Sequence, residues 1–141
     1  MFLPKDREGL RQMYLDAWQR YRDGLPLEPL QAQIADVVAA HPEYQAALDD
    51  PDHALSRDWL PEQGVSNPFL HMGMHLAIRE QLATDRPQGI GVIHNALLQR
   101  IGDIHEVEHR MAECLGEALW RSQRSGTPPD ENAYLEALRR L

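Results

Sequence analysis

Apolar side chains recur every three or four residues along most of this 141-residue chain, and that spacing restricts the fold more than any other feature. No run alternates apolar and polar residues, and no Asn-Gly or Asp-Gly pair joins two alternating runs, so β-hairpins are not expected. Leu10, Met13, Tyr14, Ala17, Trp18 and Tyr21 mark a first helix from about Asp6 to Asp23, ended by Gly24. Leu30, Ile34, Val37 and Val38 mark a second, from about Glu28 to Ala40, with Pro29 in its first turn. His41 precedes Pro42 and should end it, because a residue before proline avoids the helical region. A short helix runs from Pro42 to about Leu48.

Asp49 to Ser66, with Pro51, Pro61 and Gly64, reads as one long ordered loop anchored by Trp59 and Leu60. Asn67 and Pro68 then supply a cap and a first-turn proline for a helix reaching about Ala83. A longer helix spans about Gln88 to Ser125, with Gly91, Gly102 and Gly116 inside it; a break is expected at Gly102, with Asp103 capping the second half and Glu106 at its third position. Thr127 to Asp130 starts the last helix, which carries Tyr134, Leu135, Leu138 and Leu141. The expectation is an all-α, single-domain helical bundle over residues 1–141, with about five to six helices and one long loop.

Charge and composition narrow the function classes. The formal net charge is −8 and no Lys/Arg stripe is present, which argues against nucleic acid and against an anionic membrane surface as partners. The single cysteine, Cys114, rules out a disulfide within the chain and points to a reducing, cytoplasmic setting. Met1 to Leu10 carries four charges and no apolar run, unlike a signal peptide, and no stretch reaches the roughly 18 apolar residues of a membrane span.

Seven histidines outnumber the two Phe and four Tyr together. His71, Met74, His75, Ile78 and Leu82 fall on one helical face. Leu97, Ile101, Ile104, Glu108, Leu115 and Leu119 define a second apolar stripe, with Glu108 near its middle, His105 inside it and His109 at its edge. A carboxylate at such a position costs several kcal/mol unless it is paired or coordinated. Two His-x3-His pairs and a Glu on facing helices suit iron or zinc, so His71, His75, His105, Glu108 and His109 are the expected metal ligands. With an open coordination position the site would serve an oxidoreductase or a hydrolase, and Glu106 or Glu108 would accept the proton. The competing expectation is a non-enzymatic interaction module with a hydrogen-bonded histidine core, whose partners include a second copy of the chain.

His105 to His109 reads HEVEH, the H-E-x-x-H pattern of zinc peptidases, in which His105 and His109 would bind zinc, Glu106 would activate water and His71, His75 or Glu131 would complete the ligands. Such enzymes align substrate along a strand edge, and no strand is expected here. Ferritin-like di-metal bundles use Glu-x-x-His from two helices; Glu106 and His109 supply that spacing once. Among the other histidines, His94 lies about 16 Å along the helix from His105, too far for the same ion. His41 reads as a helix-end cap and His53 as a solvated loop residue. Cys114 reads as a small packing residue rather than a nucleophile.

Asn67 to Gln81, reading NPFLHMGMHLAIREQ, resembles the central motif of a bacterial family of small proteins, the domain-of-unknown-function 1841 family. His41 to Tyr44 (HPEY), the HEVEH segment and Cys114 to Trp120 (CLGEALW) extend the resemblance over most of the chain. The resemblance implies that the histidine motifs are typical of the family, and it brings no assigned activity or catalytic residue.

Overall fold

A computed structural model describes residues 7–57, 59 and 67–141. These residues form helices and no strand: α1 (Arg7–Arg22), α2 (Pro29–Ala39), α3 (Pro42–Leu48), α4 (Pro51–Ser56), α5 (Pro68–Thr84), α6 (Ile90–Ile101), α7 (Ile104–Ser125) and α8 (Glu131–Arg139). No helix among them is long and apolar enough to cross a membrane. The all-α expectation holds, but eight helices among the described residues replace the expected five to six. Two local signals account for the difference. Asp50 accepts the His53 N–H and Pro51 occupies the first turn, so α4 forms inside the stretch read as a loop, and His53 is helical rather than in a loop. Gly102, at φ 82°, ends α6 in the left-handed conformation that only glycine adopts at little cost, so the expected break is complete. Leu60, Pro61 and Gly64, which the loop expectation also named, lie outside the described residues.

Residues 1–73 and residues 74–141 make two compact units, and α5 passes from the first into the second. In the first unit, Tyr14, Leu15, Ala17 and Trp18 of α1 are buried, as are Ile34, Val37 and Val38 of α2, Leu48 of α3 and Ala54 of α4. Tyr14, Ala17 and Trp18 of the expected first-helix stripe are buried and Met13 is half-buried, but the two ends of the stripe differ. Leu10 and Tyr21 are exposed, whereas Arg11 is 3% exposed. Arg11 earns that place chemically: its guanidinium donates to the carbonyls of Ala54 at 3.0 Å and Arg57 at 2.7 Å, satisfying the end of α4. It also lies over the rings of Trp59 and Phe69, at 5.0 and 5.1 Å.

In the second unit, Ile78, Ile90, Ile93, Leu97, Val107, Met111, Leu115, Tyr134, Leu135 and Leu138 form a continuous apolar core. Asp103 caps α7 by accepting the N–H groups of His105 at 2.9 Å and Glu106 at 3.1 Å, which fixes the start of the helix that carries the HEVEH segment. Tyr134 of α8 donates to Gln81 of α5 at 2.7 Å, and burial pushes its phenol well above the usual range.

Candidate metal centre

In the first unit, Pro42 forces the chain out of α2, and His41 sits at the junction as the N-cap residue of α3. Its ring is 2% exposed, and Nδ1 donates to the Val37 carbonyl at 2.7 Å, in the last turn of α2. A carbonyl can only accept, so Nδ1 carries the proton and Nε2 holds the lone pair of the neutral ring. His71, near the start of α5, packs edge-on against His41 with ring centroids 5.1 Å apart. Tyr44 stacks on His41 at 5.4 Å and meets His71 edge-on at 5.7 Å. Burial, and secondarily the charge of Glu43, raises the Tyr44 phenol pKa. His41 and His71 each offer a ring nitrogen within 4.8 Å of the other, a separation that one ion can bridge.

Asn67 positions His71 by accepting the N–H groups of Phe69 at 3.0 Å and Leu70 at 3.3 Å, so the helix starts one turn before the histidine. Residues four apart share a helical face. His75 therefore follows His71 one turn along α5, and again a ring nitrogen from each lies within 4.8 Å.

In the second unit, His75 is completely buried and its Nδ1 lies 2.7 Å from Glu108 Oε1 on α7. Arg79, a turn after His75, places Nε 3.3 Å from Oε1 and 3.1 Å from Oε2 of the same carboxylate. Burial alone would raise the Glu108 pKa, but hydrogen bonds from His75 and Arg79 and the positive charge of Arg79 outweigh it and hold the carboxyl below its ordinary value. An ionised Glu108 accepts from His75, so Nδ1 again carries a proton, and in the neutral ring Nε2 bears the lone pair. His105 lies nearly parallel to His75, with centroids 5.3 Å apart at 9°, and His109 lies 5.6 Å away at 44°. His109 Nδ1 is also 3.6 Å from Glu113 Oε1.

A family model described as a domain of unknown function (DUF1841) matches residues 6–140. The chain belongs to that family. No curated protein and no solved structure matches it. The family match agrees with the resemblance seen in Asn67 to Gln81, and it assigns no chemistry to the DUF1841 residues, which leaves geometry as the guide.

That geometry treats the expected site residues of this DUF1841 protein unequally. His75, His105, His109 and Glu108 come together in one unit, while His71 is the neighbour of His75 along α5 and of His41 in the other unit. Glu106 points elsewhere, ion-paired with Arg110 at 2.9 Å on the partly exposed side of α7. Glu131 is exposed in the first turn of α8, and His94 is half-buried on α6. Two participants escaped the sequence reading. His41 does cap the end of α2, as expected, but it also packs against His71, which the HPEY junction could have indicated. Arg79 follows His75 by four residues, and that spacing places a cation beside any carboxylate that His75 meets.

Proposed function

We propose that this protein binds a first-row transition-metal ion, iron or zinc, built on His71 and His75 of α5. His105 and His109 are its further imidazole donors, and Glu108 orients His75. The observation that supports this most is the 2.7 Å contact between His75 Nδ1 and Glu108. Metal-bound histidines typically donate their other ring N–H to a carboxylate or a backbone carbonyl, which fixes the tautomer and raises the basicity of the ligating nitrogen. His75 has the carboxylate version of that support and His41 the carbonyl version. The donor set is rich in imidazole, which suits zinc and iron better than magnesium or calcium.

An open coordination position on such an ion would activate water or dioxygen, giving a metal-dependent hydrolase or oxidoreductase with Glu108 as the proton acceptor. Tag-free protein, supplied with Fe(II) or Zn(II) and desalted, should retain close to one or two ions per chain by elemental analysis. Chelation should lower its melting temperature, since an ion selective for the folded state stabilises it by mass action. His71→Ala and His75→Ala should each abolish retention, and Glu108→Gln should weaken affinity by about 10–100-fold. Protein that takes up neither ion and melts identically with and without chelator overturns the proposal.

A second reading is favoured by the exposed apolar side chains Leu70, Val92, Ile104 and Trp120, which are 66, 74, 62 and 54% exposed. In it the protein is an interaction module with a hydrogen-bonded histidine core, and its partner is another protein or a second copy. The metal-free outcome of the experiment above would put this reading first.

A further inference from the structure

We infer that Arg79 determines which atoms reach the ion: it holds Glu108 as the acceptor for His75 and keeps the carboxylate from becoming a ligand, so that the metal is bound by nitrogen alone. The inference rests on the metal site proposed above and assigns a specificity-determining role to a residue outside the ligand set.

Glu108 is the buried carboxylate beside His75, and it is 7% exposed. A divalent ion attracts an anionic oxygen more strongly than a neutral imidazole, so a carboxylate with an idle oxygen next to a liganding histidine tends to coordinate. Here neither oxygen is idle. Oε1 accepts from His75 at 2.7 Å, and the Arg79 Nε–H is shared between Oε1 at 3.3 Å and Oε2 at 3.1 Å. Arg79 and His75 are one turn apart on the same helix, so α5 supplies both partners of the carboxylate in fixed register. The guanidinium is planar and permanently charged, so its hold does not depend on its own protonation state. The consequence is selectivity: an imidazole-only set favours zinc, iron and cobalt, whereas an added carboxylate shifts preference towards manganese and magnesium.

Cobalt(II) tests this directly, because its visible bands report both coordination number and the replacement of nitrogen by oxygen donors. Wild type, Arg79→Gln, Arg79→Lys, Glu108→Gln and the Arg79→Gln/Glu108→Gln double variant would each be loaded with Co(II), their helicity being checked by circular dichroism. Arg79→Gln should shift the bands towards a higher coordination number and strengthen Mn(II) binding relative to wild type. Arg79→Lys and the double variant should keep the wild-type bands, since one retains a cation and the other has no carboxylate to recruit. Glu108→Gln should keep the band positions while binding Co(II) more weakly; loss of an oxygen-donor signature in it would overturn the inference even if Arg79→Gln failed to fold. Folded Arg79→Gln with an unchanged spectrum would overturn it as well. Failure of the wild type to bind Co(II) would remove the proposed metal site itself, whereas Co(II) binding with bands indifferent to Arg79 would remove this inference alone.

Discussion

His41 and His75 are both buried and both donate Nδ1 to an acceptor at 2.7 Å, yet the acceptors differ in charge. For His41 it is the Val37 carbonyl, a neutral group already fixed by α2. For His75 it is the Glu108 carboxylate, itself held by Arg79. A carbonyl orients an imidazole without changing the charge around it. A buried carboxylate also enriches the ring with electron density, at the cost of a desolvated anion that then needs its own cation. The second unit therefore uses two coupled side chains, Glu108 and Arg79, to orient one ring, where the first unit uses a backbone carbonyl.

The largest expected effect follows from that coupling. His75→Ala leaves Glu108 in place with one partner removed, and breaking a buried charged network from one side costs about 3–5 kcal/mol. Chemical denaturation measures it. A loss near 1 kcal/mol, the size of one ordinary hydrogen bond, would mean that Arg79 alone satisfies the carboxylate, and the contrast between the two histidines would lose its energetic basis.

Acid should separate them next. The pKa of Glu108 is lower in the folded state than in the unfolded chain, so its contribution to stability is present above the unfolded carboxylate value of about 4.3 and is lost as the pH falls through the folded value. Wild type should accordingly lose stability below about pH 4 more steeply than Glu108→Gln. The Val37 carbonyl that accepts from His41 does not titrate, so no carboxylate contribution of this kind arises at that ring. Equal slopes in wild type and Glu108→Gln would show that the carboxylate is not the ionised partner described here. At neutral pH, His41→Ala should cost about 1–3 kcal/mol, the range for a lost buried hydrogen-bonding partner.

How much of this was legible in the residues depended on whether the determinant was local. Pro29, Pro42, Pro51 and Pro68 each stand in a helix's first turn, and Gly102 and Gly126 each end a helix with positive φ, so most boundaries could be read from neighbouring residues. The Asp50-Pro51 start was equally local, but six residues gave too little periodicity to outweigh the polar composition around it. Arg11 could not be read, because its burial depends on carbonyls 43 and 46 residues away. The candidate site divides in the same manner. His71 to His75 and His105 to His109 are helical repeats visible as spacing, and Glu108 stood out as a charge on an apolar stripe. That Glu108 would meet His75 and Arg79, 33 and 29 residues distant, is a matter of tertiary packing.

The smallest expected effect distinguishes support for a helix from support for a ring. Asp103 holds the first N–H groups of α7, including that of His105, whose ring lies against His75. Asp103→Ala should cost about 1 kcal/mol, as N-cap removal usually does. It fixes the beginning of α7 and touches neither Glu108 nor Arg79, so the bond from His75 Nδ1 to the carboxylate should survive. Metal retention should then stay near the wild-type level while stability falls, unlike His75→Ala, in which both are lost. If Asp103→Ala released the ion as completely as His75→Ala does, the stacked His105 would be as essential to the centre as the carboxylate-supported His75. The charge of the acceptor would then no longer explain which histidine anchors the site.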